Sequence, residues 1–207
     1  MFGKFITIEG GEGVGKSTNI AFIQSQLESK GIQCLITREP GGTPLAEEIR
    51  EILIKNRDEI VVSETELLLM FAARAQHLHQ KIMPALSEGK WVISDRFTDA
   101  TYAYQSGGRG VSASNVGLLE NFVQGDLRPD LTLLLDAPPE VGMARARGRG
   151  QLDRFEEEKS AFFDRVRRNY LSRAAAEPKR FKVVDATQIL SAVQRDIAEL
   201  LRELQAS

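Results

Sequence analysis

The 207-residue chain has a single cysteine, Cys34. No disulfide can form within it, which fits a reducing compartment, and a cytoplasmic location is expected. In an apolar strand such a cysteine reads as core filler. No apolar run approaches the ~20 residues of a membrane span, so no membrane partner is expected. Met1-Phe2-Gly3-Lys4 leads directly into a strand pattern, and no signal peptide is expected. A basic excess is missing as well. The chain has 27 Lys and Arg against 29 Asp and Glu, a formal charge of -2, so its overall charge offers no footprint for nucleic acid. The only two histidines, His77 and His79, lie two apart on a helical pattern. They point to different faces, a poor geometry for a metal, and read as structural. There is no internal repeat, linker or low-complexity stretch.

Strand and helix patterns alternate along the chain. Apolar strands are expected at Lys4–Glu9, Gln33–Thr37, Trp91–Ser94, Leu131–Leu135 and Phe181–Val184. Their continuous apolar character suits a parallel sheet covered on both faces. Helices are expected at Gly15–Lys30, Leu45–Ile54, Ser63–Leu86 with Pro84 as a possible kink, Pro139–Arg147, Glu156–Ala176 and Thr187–Gln205. Together these imply one α/β domain over 1–207, a doubly wound five-stranded parallel sheet with right-handed crossovers. Ligands should gather at the carboxyl ends of its strands.

The first such end carries Gly10-Gly11-Glu12-Gly13-Val14-Gly15-Lys16-Ser17-Thr18. It matches the phosphate-binding pattern G-x-x-x-x-G-K-[ST] in full, after a strand and before a helix. Glycines allow the tight turns, and the backbone N–H groups with the helix N-terminus cradle phosphate oxygens. Lys16 is expected at the β- and γ-phosphates and the Ser17 hydroxyl on Mg²⁺. The motif specifies a nucleoside triphosphate, not a reaction. A GTPase would need N-K-x-D and D-x-x-G, and neither occurs. The third strand runs into Asp95-Arg96 rather than paired acids, which suggests a second anion beyond the loop. That arrangement suits a small kinase with two facing phosphate sites. Other acceptors, and a nucleotide-dependent switch, remain open at this point.

Further groups follow strand ends: Arg38-Glu39-Pro40-Gly41-Gly42-Thr43, and Asp95-Arg96-Phe97. Phe71 and Arg74 sit at i and i+3 of the long helix, a spacing that can build a base pocket from a ring and a guanidinium. With "FAARAQH" (Phe71–His77), "DRFTDATYAYQSGGRG" (Asp95–Gly110) and "RARGRGQLDRFE" (Arg145–Glu156), the ordered motifs make the whole chain resemble the thymidylate kinases, of the bacterial-type branch, within the P-loop nucleoside monophosphate kinases.

The resemblance implies transfer of phosphate from ATP, with Mg²⁺, to dTMP, giving dTDP on the way to dTTP. It implies that Phe71 stacks on thymine, that Arg74 reads a base carbonyl, and that Arg38 and Arg96 hold the monophosphate, beside Pro40 of the same motif. Thr101 and Gln105 would line the base and sugar side, with Tyr104 crowding the 2′ position. Asp95 would reach Mg²⁺ through water. Glu12, a carboxylate inside a phosphate loop, would face the 3′-hydroxyl of the acceptor. Tyr102 reads as partial core packing, and Trp91 as core.

Met143–Arg154 concentrates Arg145, Arg147, Arg149 and Arg154 among glycines, and arginines suit phosphate clamping. By the same resemblance this is a lid at about 143–154, and Arg149, then Arg147, is expected to carry the catalytic charge. The Arg165–Arg168 cluster is expected to pair with acids on a helix face, with an arginine near the ATP adenine as the alternative. The family is homodimeric, and the long apolar helix could supply the interface.

Overall fold

The computed structural model describes residues 2–146, 154–155 and 158–206. Among them, five strands form one all-parallel sheet: β1 (Phe5–Glu9), β2 (Cys34–Arg38), β3 (Trp91–Asp95), β4 (Leu131–Asp136) and β5 (Phe181–Asp185), in the order β2-β3-β1-β4-β5. This is the doubly wound sheet expected from the apolar runs, and each strand end lies within one residue of its expected place.

Both faces are covered. Ile6 and Ile8 of β1, with Leu131, Leu133 and Leu135 of β4, pack on helices α1 (Lys16–Glu28) and α9 (Leu190–Ala206). Phe5 and Val92 turn to the opposite face, as do Leu134 and Phe181, which meet α8 (Ser160–Ala176). Successive side chains of a strand alternate between faces, so a strand buried on both sides must be apolar throughout. Cys34 and Trp91 sit half-buried at the margin of the first cluster. Burial, then the nearby Glu28, lifts the Cys34 thiol to about 11, which leaves it unreactive.

The long helix is interrupted. It runs as α3 (Ser63–His77), a π-helical turn (Leu78–Ile82) and α4 (Met83–Ser87), closed by Gly89 at φ 80°. The wide turn precedes Pro84, which lacks an N–H for the α-helical ladder. Helix α2 (Pro44–Ile54) starts where Thr43 Oγ1 accepts from Ala46 N, with Pro44 in the first turn, a standard N-terminal arrangement.

Residues 98–108 show no clear apolar period, yet they fold as α5 (Thr98–Thr101) and a π-helical stretch (Tyr102–Gly108); α6 (Ala113–Gln124) follows, capped by Ser112, with Val116 buried and Leu119 and Val123 partly buried beside it. Packing overrides the weak propensity of the Thr-, Tyr- and Gly-rich 98–108 segment. Its glycines allow close approach: a side chain at Gly108 would strike the Phe162 ring of α8. Asp185 Oδ1 captures the N–H and hydroxyl of Thr187, so α9 begins at Leu190. Helix α7 (Pro139–Ala146) opens the expected lid. Arg147 and Arg149 lie outside the described residues. Among the described residues no helix is long and apolar enough to cross a membrane.

Candidate active site

The phosphate loop joins β1 to α1. Gly10, Gly13 and Gly15 take φ of 135°, 68° and 92°, a region closed to most side chains. Lys16 turns its ammonium back over the loop, donating to the carbonyls of Gly11 (2.8 Å) and Gly10 (3.3 Å). Burial, then the facing Arg96 guanidinium, lowers its pKa. Val14 is buried beneath the loop, whereas Ser17 and Thr18 are exposed at its mouth.

Beyond β3 the chain makes a strained turn. Arg96 has φ 69°, the one positive value for a non-glycine among the described residues. Such backbone costs on the order of 1–3 kcal/mol and must be held from outside. Here Arg96 N donates to Ile8 O (2.9 Å), the Ser94 hydroxyl donates to Arg96 O (2.7 Å), and Phe97 N donates to Glu9 Oε1 (2.8 Å). Tyr170 of α8 donates to the other Glu9 oxygen at 2.7 Å. Glu9 is fully buried; that burial, then the Asp99 charge, raises its pKa to about 8.

The turn aims the Arg96 guanidinium at the phosphate loop, where Nη2 meets Glu12 Oε1 at 2.5 Å. Burial alone would lower the arginine's pKa, but Tyr104 and Glu12 raise it well above its usual value. Arg96 also lies over the Tyr104 ring at 4.7 Å, and the Tyr104 hydroxyl donates to Glu12 Oε1 at 3.2 Å. Glu12 therefore points away from the cradle of its own loop.

A third loop follows β2. Glu39 Oε2 accepts from Arg74 Nε (2.7 Å), and Glu39 Oε1 lies 3.0 Å from His77 Nδ1. His77 Nε2 pairs with the Thr37 hydroxyl at 2.7 Å, so this histidine orients the loop while His79 is exposed. Arg74 Nη2 donates to Thr101 Oγ1 at 3.0 Å. Its other terminal nitrogen, Nη1, is buried and finds no partner among the described residues. An orphaned buried donor is costly and fits a ligand carbonyl. Arg38 pairs with Glu47 at 2.7 Å.

One open cleft gathers these groups: Glu12, Lys16, Arg38, Pro40, Arg74, Asp95, Arg96, Thr101, Tyr104 and Gln105 all line it. Phe71 is not brought to that lining. It is 2% exposed and packs with Leu67, Val111 and Val116, and the Arg74 guanidinium lies over its ring at 4.7 Å. Met70, one helical turn before Arg74, lines the cleft instead, because the α-helix returns to a face after 3.6 residues and i−4 overlies Arg74 as closely as i−3. Phe97, on the other side of Arg74 at 5.0 Å, also reaches the cleft. Sequence reasoning missed Arg50 as well. It lines the cleft and donates to Pro40 O at 3.1 Å; the signal was its place one turn after Glu47 in α2.

Of the remaining arginines, Arg145 donates to Ala186 O at 2.9 Å. In the 165–168 cluster, among the described residues, only Arg167 bonds to an acid, Asp136, through two bonds of 2.8 Å. Arg165 and Arg168 donate to the carbonyls of Gly108 and Asp164. Tyr102 is half-buried, donating to Glu120 at 2.7 Å.

Ser17 and Asp95 supply oxygen donors beside the cradle. Asp95 Oδ1 is buried with no partner among the described residues, which suits a hard cation. No cluster of three His, Cys, Asp or Glu that could hold a metal occurs among the described residues. The donor set thus fits an ion such as Mg²⁺ that completes its shell with water and phosphate.

The family model described as "Thymidylate kinase" matches residues 8–197. The thymidylate kinase of Pseudomonas syringae pv. tomato is 61% identical over 204 residues, covering 99% of this chain and 97% of the relative. That of Alcanivorax borkumensis is 55% identical over 206 residues, 100% and 99% of the two chains. Among solved structures, the crystal structure of thymidylate kinase from Ehrlichia chaffeensis superposes with TM-score 0.78 at 32% identity, covering 97% of this chain and 99% of that one.

Proposed function

We propose that this chain, which belongs to the thymidylate kinase family, transfers phosphate from ATP to dTMP with Mg²⁺, giving dTDP for dTTP synthesis in the cytoplasm. The observation that carries the reading is the single cleft shared by Lys16 and Glu12 of the phosphate loop and by Arg38, Arg74 and Arg96 of the facing side. Two anions brought to one cleft from opposite sides can react in line, and holding them there supplies much of the acceleration.

The loop from Gly10 to Thr18 binds the ATP phosphates through backbone N–H groups, and Lys16 exchanges its loop carbonyls for phosphate oxygens. Arg38 and Arg96 hold the dTMP phosphate. Arg74 offers Nη1 to a base carbonyl, with Met70 and Phe97 as neighbouring apolar walls and Phe71 supporting the guanidinium from behind. Thr101, Tyr104 and Gln105 line the nucleoside, and Glu12 accepts from its 3′-hydroxyl. Ser17 and Asp95 would hold Mg²⁺, which when bound neutralises charge on the phosphate oxygens. The acceptor phosphate is itself the nucleophile, so no general base is required. A lid at about 143–154 supplies Arg149, or Arg147, to the charge that develops in the transition state and excludes water.

The enzyme is further proposed to be a homodimer. Support comes from exposed apolar side chains on α3 and α6, which pack side by side: Leu68, Leu118 and Phe122, the last 86% exposed.

The deciding experiment measures ADP release with ATP alone and with ATP plus dTMP, dUMP, dCMP or AMP. Strong stimulation by dTMP is expected. Stimulation by AMP but not dTMP would overturn the acceptor, and equal turnover without any acceptor would point to a switch protein.

A further inference from the structure

Glu66 belongs to no motif that marks the site. It lies in the first turn of α3 and is 0% exposed. Its two oxygens collect three donors from separate parts of the chain. Oε1 accepts from Gln105 Nε2 (2.8 Å) and Arg109 Nε (3.3 Å), and Oε2 accepts from Arg154 Nη2 (2.7 Å). Burying a carboxylate is expensive, and removing its charged partners would leave it uncompensated. Three donors from separate parts of the chain, fixed on one buried carboxylate, tie those parts together.

The arrangement concerns the acceptor pocket. Arg154, expected from sequence to clamp phosphate, is committed elsewhere. Besides Glu66, its Nε donates to Leu53 O (2.9 Å) and its backbone N to Ile54 O (3.3 Å), at the C-terminal end of α2. Its guanidinium lies 4.5 Å over the ring of the next residue, Phe155. Phe155 lines the cleft, as Ile54 and Gln105 do. It meets Tyr104 edge-on at 6.4 Å. Arg109 closes the other side: it pairs with Glu158 and lies over Phe155 (5.8 Å) and Phe162 (4.8 Å).

We propose that Glu66 and Arg154 are a positioning pair that seats Phe155 against Tyr104, walling the sugar side of the acceptor pocket and sharpening the preference for a deoxyribose. This rests on reading that cleft as the dTMP site. Neither residue touches the reacting phosphates. Their effect falls on acceptor affinity and on discrimination at the 2′ carbon, where a rigid aromatic pair leaves less room for a hydroxyl than a mobile one.

Arg154→Met tests the pair, since Glu66 keeps Arg109 and Gln105 and the stem retains its bulk. Steady-state kinetics would compare dTMP with ribothymidine 5′-monophosphate. The variant is expected to raise KM for dTMP ~10-fold with a smaller change in kcat, and to shrink the deoxy-over-ribo preference in kcat/KM ~10-fold, the pattern of lost positioning in binding. Arg154→Lys, which keeps a cation for Glu66, should recover part of both. Phe155→Leu leaves the ion pair in place and should lose the same preference, so it decides the matter if Arg154→Met fails to fold. Unchanged preference in a folded Arg154→Met or in Phe155→Leu overturns the proposal. So does a fall in kcat at constant KM, which would put Arg154 on the transferring phosphate. Wild-type enzyme that does not phosphorylate dTMP at all would instead overturn the reading of the pocket.

Discussion

Glu12 and Arg96 form an ion pair of 2.5 Å between two loops that come from neighbouring strands. A carboxylate in a phosphate loop would repel ATP if it faced the cradle. The pair turns it outward, and it lines the cleft together with Tyr104, whose hydroxyl donates to it. Glu12→Ala should therefore lower phosphate transfer ~10–100-fold, the range expected when a hydrogen bond to a charged group is lost. Binding of a non-hydrolysable ATP analogue, followed by titration calorimetry, should stay nearly unchanged. A variant that loses ATP affinity would make Glu12 a structural part of the loop.

Met70 lines the cleft in the place expected of Phe71, and Phe71 packs behind it. Met70→Ala should raise KM for dTMP several-fold with little loss of stability. Phe71→Ala should cost about 3–5 kcal/mol of unfolding free energy as a core truncation, read from denaturant midpoints. The reverse outcome would return Phe71 to the ligand.

Glu9 gives the stability of the fold a particular pH dependence. Burial, then Asp99, raises its pKa from the ordinary 4.5 to about 8. Between those values the folded chain binds a proton that the unfolded chain releases, so this residue's contribution is present below about pH 4.5 and is lost as pH rises through about 8. Urea midpoints taken from pH 5 to 8.5 should fall more steeply in the wild type than in Glu9→Gln. Parallel curves would mean that Glu9 is ionised throughout.

Arg149→Ala should reduce kcat by at least ~10²-fold with a modest effect on dTMP binding, as expected for a cation that acts mainly in the transition state. Pre-steady-state transfer rates would check it. Near-normal kcat would move the role to Arg147.

The parts of the site legible in the sequence are those where backbone chemistry dictates residue type. Gly10, Gly13 and Gly15 are glycines because their φ values demand it, and β4 is apolar because both its faces are covered. What escaped depends on side-chain direction. Met70 and Phe71 are adjacent apolar residues on one helix, and no periodicity says which is rotated into the cleft. Arg154 sits in a basic run and reads as one more phosphate ligand, until Glu66, 88 positions away in sequence, claims it. The helical fold of 98–108 is held by packing on α8, a long-range cause that local pattern does not carry.

The ladder of the sheet continues past the strand ends. Ile8 stands opposite Asp95, Arg96 N donates to Ile8 O, and Glu39 N donates to Asp95 O. Three loops thus leave three adjacent strands at nearly one level, each displaced from the next by the ~4.8 Å between hydrogen-bonded strands. The sheet serves as a ruler: the spacing of the loops that frame the cleft is graduated by a backbone repeat that no side-chain substitution can reset. A substitution in one of these loops can change its lining of the cleft, while the separation of the loop bases stays the same.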